Sequence, residues 1–178
     1  MDACATRRWL PRTLVLIGLI AGSHVSGSPV HSPRPQRAAA LEGPRRSSRL
    51  TETRADAAQV RDLIDLVNRR RRAIGCAPLI WDERLAKVAQ HHSEAMARDG
   101  NFSHDDPNGD DPFDRMRDAG VVFRAAAENI AFGQRTGEEV YESWFRSPGH
   151  RANLENCVYT RHGVGLYRNR WTHVFARY

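Results

Sequence analysis

Three side chains stand out for the chemistry they could do. They are His104 in Phe102-Ser103-His104-Asp105, Glu128 in Ala127-Glu128-Asn129-Ile130-Ala131, and His150 in Ser147-Pro148-Gly149-His150. Neutral imidazole nitrogens bind zinc and other borderline divalent ions, and a nearby carboxylate can orient an imidazole or hold a metal-bound water. The bland alternative is a hydrogen-bonded structural cluster, because buried polar groups need partners with or without a metal. His104 and His150 are 46 residues apart, so no local spacing unites them and only a fold can. Other catalytic signatures are absent. There is no H-E-x-x-H, no G-x-S-x-G elbow around Ser147, and no C-x-x-C pair. The acidic turn from Phe102 to Asp111 does not fit an EF-hand, since counting from Asp106 puts glycine at position four instead of six. Asn101-Phe102-Ser103 is a formal glycosylation sequon, a pattern common by chance.

The elements that must carry these residues are legible from periodicity and stop signals. Val60, Leu63, Ile64 and Val67 share a helical face, with Asp56 to Gln59 as a capping box before them and Gly75 as the stop. The Arg69 to Arg72 run is placed at the end of that helix, where positive charge suits the dipole. Leu79 to Trp81 is short and extended. Asp82 opens a second helix whose stripe is Leu85, Val88, Ala89, His92 and Met96, ending at Gly100. His92 therefore faces inward as a hydrogen-bonded structural histidine, and His91 faces solvent. A short helix runs from Pro112 to Ala119. Val121 to Phe123 and Glu128 to Phe132 read as extended. Thr136 to Glu139 is a second capping box, opening a helix with Val140, Tyr141 and Trp144 on its buried side. Ser147-Pro148-Gly149 stops that helix, leaving His150 in a stiff turn. His162 to Tyr167 and Trp171 to Phe175 form a hairpin around Arg168-Asn169-Arg170. His173 alternates with aromatics and is read as packing.

Composition bounds the class. The chain has 178 residues and a formal charge of +6. Residues 1–28 carry +2 of it and residues 29–56 carry +3, leaving +1 for residues 57–178. The folded part is therefore nearly neutral, which excludes a dedicated nucleic-acid-binding surface. Arg7, Arg8 and Arg12 precede the apolar run Leu14 to Ala21 and then small residues, the layout of a secretory signal peptide over 1–28. That run is too short for a permanent transmembrane anchor. Residues 29–56, rich in Pro, Ser, Arg and Ala, read as a disordered basic linker. Residues 57–178 form one domain, with no internal repeat and no partner signal, read as a monomer. Use of one Lys against 26 Arg hints at a GC-rich bacterial genome.

Three cysteines are present. Cys4 lies in the leader. Cys76 and Cys157 remain as an even pair for an oxidising compartment, read as a disulfide, with two buried thiols as the alternative.

The order "SH", "ENIA", "SPGHRANL" and then Gly163-Val164-Gly165 resembles the bacterial secreted branch of the CAP superfamily, which includes the cysteine-rich secretory proteins, antigen 5 and pathogenesis-related proteins and is also called SCP-like. The resemblance runs from about Val60 to Phe175. Helices in the first half and a terminal hairpin imply an α+β domain. The resemblance sharpens this to a three-layer α-β-α sandwich with a central antiparallel sheet. It also implies that His104, His150 and Glu128 converge in a central cleft able to bind a divalent metal, Zn2+ or another, weakly. Eukaryotic members of the family add a second glutamate on the helix before the second histidine. That register holds Ser147 here, and Glu142 would point elsewhere. The resemblance implies a secreted or extracellular binding module for a lipid, a glycan or a cell-wall component. The alternative is a metal-dependent extracellular hydrolase in which His104 and His150 hold the metal and Glu128 handles protons. The binding module is preferred over an enzyme, because hydrolases show a fuller set of groups around the metal.

Overall fold

The computed structural model describes residues 43–178, with side chains from residue 53 onward. The expected signal peptide, Cys4 and residues 29–42 of the linker lie outside the described residues. The elements are α1 (Gly43–Ala73), β1 (Ile80–Trp81), α2 (Glu83–Asp99), α3 (Pro112–Asp118), β2 (Ala125–Phe132), α4 (Gly137–Arg146), α5 (Pro148–Glu155), β3 (Arg161–Tyr167) and β4 (Arg170–Arg177).

The four strands form one sheet in the order β1-β3-β4-β2. β3 and β2 both run antiparallel to β4, and the two-residue β1 joins β3 in parallel. Strand alternation divides the core in two. On one face Val164, Leu166, Trp171 and Phe175 pack against Leu63, Val67, Val140 and Trp144 from α1 and α4. On the other face Val174 and Ala176 meet Leu85, Val88 and Ala89 of α2 and Met116 of α3. The expected three-layer sandwich is thus present.

Two glycines decide how closely α2 approaches. A Cβ on Gly163 would lie 2.1 Å from the Ala86 backbone nitrogen, and one on Gly165 would lie 2.4 Å from Ala89 backbone atoms. The Gly-Val-Gly strand therefore lets the helix backbone rest directly on the sheet. Ser93 of α2 closes the contact, its hydroxyl donating to the Gly165 carbonyl at 3.2 Å and lying 2.9 Å from Thr172 Oγ1.

Several sequence expectations are revised. α1 begins at Gly43, so residues 43–56 are helical and Asp56 lies inside the helix instead of capping it. No glycine or proline interrupts residues 45–73, and proline at position 44 is tolerated in a first turn. The Arg69 to Arg72 run does lie at the end of α1 as expected, and one of its members has a further role. Arg71 is fully buried, and its guanidinium donates to the carbonyls of Ala77, Leu154, Asn156 and Tyr159 at 2.9–3.0 Å. Residues 121–123 lie outside any strand, and β2 begins at Ala125. Pro148 does end α4, but it also starts α5, so His150 sits in the first turn of a helix. Proline suits that position because no helical donor is needed there. The Cys76–Cys157 disulfide is present, across a sequence separation of 81. The β3–β4 turn is made by Arg168 and Asn169, both with positive φ (47° and 57°).

Candidate cleft at the edge of the sheet

β2 is an edge strand, and its alternation sends Glu128 to the α2–α3 face and Asn129 to the α4–α5 face. His104 and His150 reach this edge from opposite layers. Glu128 is the fixed point. Its side chain is 1% exposed, one oxygen lies 2.9 Å from His104 Nδ1, and the other accepts from Arg115 Nη2 at 2.9 Å. A buried carboxylate needs such partners, because an unpaired one would lose its hydration without compensation.

Arg115 does more than neutralise Glu128. From α3 it also donates to the carbonyls of His104 (2.8 Å) and Asp110 (3.2 Å), which pins the loop that carries His104. Buried His92 fixes the same loop, with Nδ1 2.9 Å from Asp106 Oδ1 and Nε2 3.0 Å from the Ser103 carbonyl. The carboxylate therefore holds His104 through Nδ1. Nε2 has no hydrogen bond among the described residues, and the side chain is 48% exposed.

His150 is held differently. Its Nδ1 lies 2.9 Å from Ser147 Oγ, and its carbonyl accepts from Asn129 Nδ2 at 3.0 Å. Asn153 in turn donates to Asn129 Oδ1 at 2.8 Å. Ser147 is the N-cap residue of α5, yet its side chain makes no capping bond. The hydroxyl that would satisfy a helix donor is given to the histidine instead. Burial, and then the charge of His104, hold His150 below its ordinary pKa. Trp144 backs His150 with ring centroids 6.4 Å apart.

Among the described residues no group of three or more His, Cys, Asp or Glu side chains converges in a metal-holding cluster. His104 and Glu128 are in direct contact, and His150 approaches from the other layer. With both Glu128 oxygens engaged, the two histidine nitrogens are the donors that remain. Glu142 faces Arg146 on the outer side of α4 at 3.5 Å, away from the cleft. Sequence reasoning missed Arg115, Asp106, Asn129 and Asn153. Asn129 and Asn153 lie inside the ENIA and SPGHRANL motifs, but no local pattern gives their partners, because each of the four acts across 11 to 24 residues of chain. A cavity of about 1310 Å3 lies at the opposite edge of the sheet, lined by Val60, Ile64, Trp81, Val164 and Leu166 among others. It contains none of the cleft residues.

Comparisons with known proteins agree with this architecture. The family model described as the cysteine-rich secretory protein family (CAP) matches residues 64–176. The protein YkwD of Bacillus subtilis (strain 168) is 40% identical over 115 residues, covering 64% of this chain and 45% of that protein. The membrane protein YlbC of the same organism is 38% identical over 117 residues, covering 66% of this chain and 34% of its own length. The chain thus spans less than half of either relative. An extracellular protein containing an SCP domain from Bacillus anthracis superposes with a TM-score of 0.67 at 36% identity, over 69% of this chain and 41% of that one. An outer surface protein of Borrelia burgdorferi superposes with a TM-score of 0.63 at 21% identity, over 67% and 92%, a likeness of fold alone.

Proposed function

This chain belongs to the cysteine-rich secretory protein (CAP) family, and we propose that it is an extracellular binding module whose edge cleft takes a divalent metal weakly through His104 and His150. The observation that carries this reading is the state of His104. Its inner nitrogen is held by a buried carboxylate and its outer nitrogen is left open. That is the arrangement by which a carboxylate fixes the tautomer of a metal-binding imidazole and raises its basicity. Glu128 then supports a ligand instead of being one, and Arg115 holds the carboxylate in place. Two nitrogens with water completing the shell make an open, exchangeable site of modest affinity. Residence outside the cell fits the extracellular SCP-domain relative from Bacillus anthracis and the Cys76–Cys157 disulfide.

The alternative of a metal-dependent hydrolase asks Glu128 to shuttle protons. Both of its oxygens are already bonded and it is buried, so the binding module is the better account. The ligand classes that fit an extracellular module are a lipid, a glycan or a cell-wall component.

Calorimetric titration of zinc at pH 7.5 and at pH 5.5 tests the reading. The expected result is saturable binding at one site, weaker at the lower pH because protons compete for imidazoles whose ordinary pKa is about 6.5. His104→Ala should abolish it. Absence of binding at both pH values would retire the metal site.

A further inference from the structure

Two aromatic rings are kept at the surface beside the cleft. Phe102 is 51% exposed and Phe132 is 52% exposed, and neither joins the cores on the two faces of the sheet. Their ring centroids are 6.3 Å apart, tilted by 39°. The guanidinium of Arg170 lies 4.4 Å over the Phe132 ring and holds its plane. An aromatic ring is worth most when buried, so two half-open rings fixed against each other mark an interaction surface.

Their position ties them to the cleft. Phe102 precedes His104 by two residues, and Phe132 follows Glu128 by four on the same strand face. At about 3.3 Å per strand residue the shelf extends roughly 13 Å from the Glu128–His104 contact. Apolar ring faces thus border an open imidazole nitrogen over a span longer than one sugar ring.

We propose that the Phe102–Phe132 shelf and the His104 edge of the cleft together bind a polysaccharide chain; this builds on the reading of the cleft as a ligand site. A pyranose ring presents a face of polarised C–H bonds and a rim of hydroxyls. The C–H face stacks on the electron-rich face of a phenyl ring, and in the metal-free cleft a hydroxyl donates to the single lone pair of His104 Nε2. An acyl chain would want an enclosed apolar channel, and this shelf is open. A peptide adding to β2 would compete with Trp144, whose indole N–H already donates to the Ile130 carbonyl at 3.0 Å.

The test is calorimetric titration with four defined probes: the tetrasaccharides of β-1,4- and α-1,4-linked glucose and of β-1,4- and α-1,4-linked N-acetylglucosamine. At least one should bind saturably. Phe132→Leu, which keeps an apolar group but removes the ring, should weaken it at least tenfold, Phe102→Leu should do likewise, and Phe132→Tyr should retain it. Both positions are half exposed, so each variant should keep the parent melting temperature, which confirms that the loss is at the shelf. Binding by none of the four probes, or binding unchanged in Phe132→Leu and Phe102→Leu, overturns the proposal. Zinc titration of the same samples separates the two claims. Zinc binding without saccharide binding leaves the metal site standing and the shelf refuted. Saccharide binding with the expected variant losses and no zinc binding does the reverse.

Discussion

Mild acid should destabilise this domain through a pair of histidines at its centre. His162 of β3 and His173 of β4 are 1% and 0% exposed, and His162 Nδ1 lies 3.0 Å from His173 Nε2. Burial, and then the charge of Arg71, lower His162 to about 4. Burial, and then the charges of His162 and Arg71, hold His173 well below 6.5. The sign follows from linkage. Both groups bind protons less readily folded than unfolded, so their contribution is complete above the unfolded value of about 6.5 and is lost as pH falls toward the folded value. For His162 alone, a shift from 6.5 to about 4 amounts to roughly 3 kcal/mol in full, of which about 2 kcal/mol is gone by pH 5. His173 adds in the same direction. Urea denaturation from pH 7.5 to pH 5.0 measures this directly. Most carboxylates titrate below that window, which leaves the histidines in control of the slope. Unfolding free energy should be flat above pH 7 and fall by at least about 2 kcal/mol at pH 5. His162→Gln combined with His173→Gln should flatten most of the slope, the remainder belonging to half-buried His150. A stability unchanged between pH 7 and pH 5, or a slope unaltered in the double variant, would refute the reasoning.

Other perturbations report on separate parts of the structure. Reducing the Cys76–Cys157 bridge, which closes a separation of 81 residues, should cost about 4 to 5 kcal/mol in the chain-entropy treatment, measured by denaturation with and without reductant. Gly163→Ala should lower stability by at least about 2 kcal/mol, because its methyl group would meet the α2 backbone. A thermal midpoint equal to the parent's would argue against that close approach. Asn169→Gly, at a turn position with φ 57°, should raise stability by about 0.5 to 1 kcal/mol. Glu128→Gln should weaken zinc binding about tenfold or more by loosening His104, while His150→Ala removes a nitrogen donor directly. Equal zinc affinity in Glu128→Gln would dismiss the supporting role of the carboxylate.

Much of this molecule is written locally. The stripe from Leu85 to Met96, the capping box at Thr136, the stop at Gly75 and the alternation from Trp171 to Phe175 each depend on neighbours within a few residues, so periodicity and turn chemistry reveal them. The ordered motifs around His104, Glu128 and His150 resemble one family closely enough to imply its layered fold, and the family match bears that out. The even pair Cys76 and Cys157 is likewise readable, and it is bridged. Where local rules misled, a different influence prevailed. Asp56 has the chemistry of a helix cap, but no glycine or proline between residues 45 and 55 breaks the helix before it, and α1 runs through. The place of Arg71 at a helix end is legible, but the carbonyls of α5 and the segment after it that enclose it are not.

Only the tertiary structure decided the character of the cleft. Arg115 reaches Glu128 across 13 residues, Asn129 reaches the His150 carbonyl across 21, and Phe102 meets Phe132 across the top of the sheet. Such contacts carry no periodicity, because they depend on which layer each element joins and on where β2 ends the sheet. The same holds for His162 and His173, which meet only because β3 and β4 pair in their particular register. Sequence determined which groups are present and which elements carry them. Sheet order and strand register, set by packing between distant parts of the chain, determined which groups touch. That is why Glu128 emerges as the support of a histidine, a role its place in the sequence does not specify.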